Sequence, residues 1–463
     1  LNTKDENDSP EEHFTDTIKA ACGLADPNAV WGMTQAAPEL VHWLLKLGVK
    51  FNMSGYDDVD LRNFGGQKKK RTAFAQSDTG KQIMTAMIDA VRRKEASGMV
   101  ERFSHHSFLT LRLCGNICCG CVIRDEYSQE TVELPGDAVI VATGGMHGLF
   151  GNTTGSLSNT GEVTAELFRL GVPLANGEMI QYHPTTVKCG GKRMLISEAA
   201  RGEGGRLFAM KDGKQWYFME EKYPELGNLM PRDITAREIW KVSHESEVFL
   251  DMTEISEEII SNKLSGLADD CMTYLHKDIR KEPVSVLPGI HYFMGGILVD
   301  EQHRTPIQNL YAAGECCAQY HGANRLGGNS LLGALYGGRV AAKSACEQAD
   351  VVDLSCATQI DFPPASQISE IKQLNKVMQE TMGVVRNENT LLNGIQTVQA
   401  LTGNLPLLGM AVLKSALARK ESRGAHWRED YPKSNDDDYL KTTVARFDGK
   451  QIQISFVPVP ERR

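Results

Sequence analysis

Apolar residues recur every three to four positions between residues 14 and 48 (Phe14, Ile18, Ala21, then Leu40, Trp43, Leu44, Leu47). That spacing predicts two helices, with Gly48 as the stop of the second. A third helix is expected over 78 to 93, opened by Asp78-Thr79-Gly80. The period then changes: FLTLRLCGNICCGCVIRDE alternates strictly, which predicts two strands with Gly115-Asn116 as the hairpin turn. DAVIVATGG reads as a buried strand running into glycines that let backbone approach closely. A further helical region is expected at about 365 to 424, with Pro363-Pro364 as its boundary, and a polar, strand-forming tail ends the chain. There is no internal repeat.

With 463 residues the chain has room for two or three domains with real cores. Its formal charge of -9 argues against nucleic acid as a partner. No segment approaches the ~20 apolar residues that span a bilayer, so membrane association would come through another subunit. No signal-peptide pattern opens the chain. Among its 11 cysteines, 118 and 119 are adjacent, as are 316 and 317. That is poor disulfide geometry, and a reducing compartment is expected. Cys114, Cys118 and Cys121 have the CxxxCxxC spacing of an iron–sulfur site. They lie across the hairpin turn rather than in a loop, and Gly120 stands where such sites carry an aromatic, so they read as small buried hydrophobes.

The chemistry concentrates in HGANRLGGNSLLGALYGGR, residues 321 to 339. Arg325 can clamp a carboxylate through its guanidinium fork. Asn329 and Ser330 read as an N-cap before Leu331, Leu332, Ala334 and Leu335, so free N–H groups and a positive dipole end face whatever Arg325 holds.

Upstream stand HPTT (183 to 186), SEAARGEGG (197 to 205), PRDITARE (231 to 238), GIHYFMGGI (289 to 297) and LYAAGE (310 to 315). Together with NFGG (63 to 66), KRTAFAQSDTG (70 to 80), ATGG (142 to 145) and ESRGAH (421 to 426), these blocks resemble, nearly end to end, the flavoprotein subunit of succinate dehydrogenases and fumarate reductases. The resemblance implies an α/β fold. A discontinuous FAD-binding, Rossmann-like domain (1–183 and 291–350) would carry an inserted α+β capping domain (184–290). A C-terminal helical domain (365–427) and a tail (428–463) would follow. A dinucleotide-binding fold opens with strand, GxGxxG, helix and an acidic residue ~20 positions on, and nothing before residue 60 offers this. The expectation is that the N-terminal βαβ unit, roughly forty to sixty residues, is missing. With it goes the position where a histidine can bond covalently to the flavin.

By the same resemblance, Arg232 exchanges a proton with substrate, and Glu198 and Arg201 relay it. His183, His291 and Arg325 bind carboxylate oxygens, Ser197 adds a hydroxyl where the family usually has threonine, and Phe64 packs against the apolar side of the substrate. Thr143, Gly144, Gly145, Glu162, Glu315, Ser330 and Leu331 match FAD-binding positions, Glu162 standing where aspartate is usual. Glu203 reads as structural, and Thr186 places an extra Cβ where HPTG is usual, altering the loop there. The implied reaction interconverts fumarate and succinate at FAD, with electrons exchanged through an iron–sulfur subunit and, through it, a membrane anchor. The chain would then sit on the cytoplasmic or matrix side, peripheral to the membrane. L-aspartate oxidase shares the HGANR, SEA-RGEG and ESRG blocks and is one alternative. A flavin-less structural or assembly homologue is another.

Overall fold

The computed structural model describes residues 1–463 apart from 57, 65–66, 77, 352–359, 361 and 363–366. The glycines of NFGG and the Pro363-Pro364 boundary lie outside the described residues. The two N-terminal helices span Pro10–Ala20 and Pro27–Leu47. Each has an acceptor side chain at its N-cap, Ser9 or Asp26, and a proline in its first turn, where the missing N–H costs nothing. Gly48 ends the second helix at φ 98, a left-handed turn that glycine takes without strain. The third helix is Thr79–Ala96.

The expected hairpin is His106–Cys114 against Ile117–Asp125, joined by Thr131–Pro135 into a three-stranded antiparallel sheet. Its alternation is not strict. Register shifts fall between Phe108 and Thr110 and between Leu111 and Leu113, so the facing pattern slips along the pair. The ATGG strand is short, Val139–Val141, and pairs in parallel with Leu310–Ala312, residues 169 to 173 positions away in sequence. Ile140 is exposed, a departure from the fully buried strand expected.

A five-stranded sheet joins the C-terminal tail to segments from the middle of the sequence. Its order is Cys317–Ala318, Gly296–Leu298, Leu174–Ala175, Lys441–Phe447, Ile452–Pro458. The tail hairpin therefore pairs with Leu174–Ala175 through Val444 and Ala445 instead of lying apart. The C-terminal helices, Ile368–Thr381, Glu388–Val398 and Asn404–Ala418, bury Leu374, Met378, Leu391 and Leu408 against Met146, Phe150, Ile180 and Phe293 in one shared core. A separate core, including Leu207, Ile239, Leu250 and Val286, is drawn wholly from residues 196 to 286 around the sheet Lys214–Trp216, Arg206–Lys211, Val248–Asp251, Val284–Ser285. Between these cores runs the sheet Lys192–Leu195, Ile180–Cys189, Leu287–Phe293, which carries two of the candidate histidines on neighbouring strands. Among the described residues no helix is long and apolar enough to cross a membrane.

Candidate functional site

Two arginines from opposite parts of the sequence share one acceptor. Arg232 is the first residue of the Arg232–Val242 helix, and its Nη1 donates to Gln181 Oε1 at 3.1 Å. Arg325, in the loop before the Asn329–Gln348 helix, donates to the same oxygen through Nε at 3.2 Å and Nη2 at 3.0 Å. All three side chains are buried. Burial, then the neighbouring Arg232, pushes Arg325 down to about 9. Its guanidinium also lies 4.2 Å from the centre of the Tyr292 ring, where the π face favours a cation.

His183 and His291 complete the basic group. Their rings meet edge to face with centroids 5.2 Å apart. Burial is the main reason both are held well below the ordinary 6.5, with Arg232, Arg201 and Arg325 adding to it for His183, and His183, Arg325 and Arg232 for His291. Both are therefore neutral at neutral pH and offer one N–H each. Thr154 Oγ1 lies 2.9 Å from His291 Nδ1, and the Thr185 N–H donates to His183 Nδ1 at 3.3 Å, the arrangement that leaves the ring proton of His183 on Nε2.

Glu198 is the counterweight. Ser197 caps the short Glu198–Gly202 helix, its oxygen accepting the Ala199 N–H at 3.3 Å, so Glu198 and Arg201 fall three apart on one face. Glu198 Oε2 accepts from Arg232 Nη2 at 2.5 Å and Nε at 3.0 Å, while Oε1 accepts from Arg201 Nη2 at 3.2 Å. Arg201 also reaches the Asn228 carbonyl at 2.6 Å. An Arg201–Glu198–Arg232 chain thus runs continuously to the shared acceptor.

A cavity of about 250 Å³ opens against this group. Arg232, Arg325, His291, Arg62 and Phe64 line it together with the apolar Leu40, Val41, Leu44, Ile83 and Leu335. Gly328, Asn329, Ser330 and Leu331 line it at the start of the Asn329–Gln348 helix. Apolar walls, cations and a helix N-terminus together fit a flat aromatic ring that becomes anionic on reduction.

The helix cap, the setting of Thr186 and the state of Cys114 differ from expectation, while the positions assigned to FAD have protein neighbours of their own. The cap of that helix is Gly328 at φ 83, not Asn329 or Ser330. Asn329 is committed elsewhere: its Oδ1 lies 2.9 Å from His13 Nε2 and its Nδ2 donates to Thr17. Thr186 sits in a strand rather than a loop, its hydroxyl donating to the Leu287 carbonyl at 2.7 Å and accepting from Arg193 Nε at 2.5 Å. Gly145 is demanded by protein packing, since a Cβ there would come 2.6 Å from Glu315 Oε1 and 2.7 Å from the Phe293 ring. At Gly144, φ is 72, and a Cβ would meet Asn159 at 2.5 Å. Glu315 Oε1 accepts the Phe293 N–H at 3.0 Å. Glu162 stands apart from the arginine group: burial raises it, and its electrostatic neighbours are Glu126 and Arg124. Glu203 pairs with Lys263 at 3.1 Å. Cys114 is disulfide-bonded, contrary to the reading of the cysteine spacing, and burial holds the Cys118 thiol up at about 11. A disulfide-bonded Cys114 has no thiolate to give to an iron–sulfur cluster.

The sequence pattern did not single out Gln181 or Arg62. Gln181 precedes His183 by two, hence shares its strand face, and a buried glutamine at that step was the available signal. Arg62 is buried with its Nε unpartnered, and its guanidinium lies 4.1 Å from the Phe74 ring centre. Burial lowers it to about 10.

The FAD binding domain family matches residues 1–331, and the fumarate reductase flavoprotein C-terminal family matches residues 401–462. The chain is 36% identical to the succinate dehydrogenase flavoprotein subunit of Bacillus subtilis, over 100% of this chain and 90% of that one. It is 31% identical to an L-aspartate oxidase of Nostoc, over 95% of this chain and 84% of the other. Among solved structures, a variant of E. coli quinol fumarate reductase superposes with a TM-score of 0.88 at 26% identity, covering 98% of this chain and 88% of its counterpart.

Proposed function

We propose that this chain, which belongs to the flavoprotein-subunit family of succinate dehydrogenases and fumarate reductases, interconverts fumarate and succinate. It is an FAD-dependent oxidoreductase of that family, with L-aspartate oxidases among its relatives. The observation that carries the narrower reading is the pair of guanidiniums on one Gln181 oxygen beside two neutral histidines. That is a concentration of N–H donors in which the Glu198 carboxylate offsets one of the two guanidinium charges, leaving a net positive site suited to a small diacid.

FAD held here would supply the hydride donor or acceptor for one central carbon of the substrate. Ser330, Leu331 and the apolar lining would hold its ring, and Glu315, Thr143, Gly144, Gly145 and Glu162 are assigned to the rest of it. Arg325, His183 and His291 bind the carboxylates, and Ser197 adds its hydroxyl. Phe64 closes the apolar side and keeps water from the reacting carbons. Arg232 holds a proton on its guanidinium, gives it to the second carbon in fumarate reduction and takes it in succinate oxidation. Glu198 and Arg201 restore or remove that proton along their hydrogen-bonded chain. Residues 184–290, with their own core, act as the cap that brings Arg232 over the substrate. Domain limits of 1–183 with 291–350, 365–427 and 428–463 follow the same reading.

The relatives' names as flavoprotein subunits support a partner, and we assign it as an iron–sulfur subunit that exchanges the electrons. Peripheral attachment to a membrane through that partner and an anchor follows, on the cytoplasmic or matrix side. Anaerobic titration of the flavin-loaded protein tests the substrate. Succinate should bleach the flavin and fumarate should restore it, while L-aspartate should leave it oxidised. Bleaching by L-aspartate, with peroxide on admission of oxygen, would assign the chain to the oxidase branch.

A further inference from the structure

We propose that Asp233 is a positioning residue that fixes the polarity of a two-amide relay, Asn324 and Gln181, and through it the separation of Arg232 and Arg325. The inference rests on the reading above only for what the two arginines hold. Asn324 Nδ2 donates to Asp233 Oδ1 at 3.0 Å. Asn324 Oδ1 then accepts from Gln181 Nε2 at 2.8 Å, and that nitrogen also donates to the Arg325 carbonyl at 3.0 Å. Gln181 Oε1 is left facing three N–H groups of two guanidiniums.

A side-chain amide has a donor end and an acceptor end of nearly equal shape, so packing alone does not choose between them. A carboxylate only accepts. Asp233 therefore forces the nitrogen of Asn324 toward itself and its oxygen toward Gln181, in agreement with the two guanidiniums and the Arg325 carbonyl, which hold the oxygen and the nitrogen of Gln181 from the other end. With either amide reversed, an NH₂ group would face an NH₂ group or two guanidiniums, all donors, in a buried site. Asp233 adjoins Arg232 in the chain but acts on it by this longer route, through a strand and the HGANR loop.

The test exchanges the charge along the relay in the flavin-loaded protein. Asp233→Asn removes the enforcing acceptor. Its malonate affinity, measured by calorimetry, should weaken roughly ten-fold, with KM for fumarate rising more than kcat falls. Adding Asn324→Asp returns a carboxylate to the relay, now accepting from Gln181 on one side and from the new asparagine on the other. That double variant should recover to within about three-fold of the parent. Full affinity in Asp233→Asn, or a double variant as weak as the single one, would overturn the proposal. Neutron diffraction of the unaltered protein reads the amide orientations directly and needs neither substrate nor a folded variant. Deuterium on the Gln181 nitrogen facing Asn324 is expected, and the reverse orientation would overturn the relay. If the parent binds no dicarboxylate while the amides are oriented as stated, the substrate assignment falls and the relay stands.

Discussion

Mild acid should unfold this protein, because the fold keeps a set of histidines neutral. Burial lowers His13 to about 4 and His321 to about 3, and lowers His303. His183, His291 and His426 are held well below 6.5 by burial, with neighbouring charges adding to it. The unfolded chain titrates the same imidazoles near ~6.5. Below that pH the unfolded state binds protons that the folded state refuses. Stability is therefore complete above ~6.5 and lost as the pH falls toward each folded value. One pH unit below the ordinary value, each such group costs roughly 1.4 kcal/mol. For the five held furthest below it, His13, His183, His291, His321 and His426, the sum is on the order of several kcal/mol, a large share of a folding free energy of ~5–15 kcal/mol. Burial raises Asp26, Asp233 and Glu162, which act in the opposite sense as the pH falls through their raised values and soften the acid limb. Urea unfolding followed by circular dichroism at pH 7.5, 6.5 and 5.5 should show the midpoint falling steeply between the last two. Calorimetry in buffers of different ionisation heat should register several protons taken up on unfolding near pH 6. A midpoint unchanged down to pH 5.5, or unfolding without proton uptake, would refute the argument.

Glu198→Gln should cut turnover about 100-fold or more while dicarboxylate binding survives, since the proton chain is broken but the carboxylate donors remain; steady-state kinetics beside malonate calorimetry reads both. Arg71→Ala should cost roughly 3–5 kcal/mol in chemical denaturation, because Arg71 neutralises the buried carboxylates of Asp8 and Asp16 at 2.8 Å each. Gly145→Ala should destabilise by about 1–3 kcal/mol and weaken flavin retention, read by melting temperature and absorbance, because its Cβ would strike Glu315 and Phe293.

The two N-terminal helices were legible from their apolar spacing, with Gly48 marking the end of the second; Ser9 and Asp26, which cap their starts, were not singled out, and the first helix buries His13, Asp16 and Thr17 more deeply than the spaced Phe14 and Ile18. The Val139–Val141 strand was harder. Three residues carry little periodicity, and the Leu310–Ala312 strand it pairs with is far along the chain. The arginines and histidines of the site could be named one at a time by their motifs, but their shared geometry could not. Gln181 joins the two arginines through hydrogen bonds reaching 51 and 144 positions along the sequence, distances at which no local pattern operates. Thr186 shows the opposite failure: its motif suggested a loop, whereas pairing with Leu195 and Leu287 makes it strand. Asn329 was read as a cap from its residue type, and a buried contact with His13 has claimed it instead.

The most direct test of the account is a structure of the flavin-loaded protein with fumarate or malonate bound. One carboxylate should take donors from Arg325 and a histidine of the His183–His291 pair, with a guanidinium nitrogen of Arg232 against the carbon skeleton. A dicarboxylate seated elsewhere, or one whose carboxylates leave Arg325 and both histidines untouched, would contradict it.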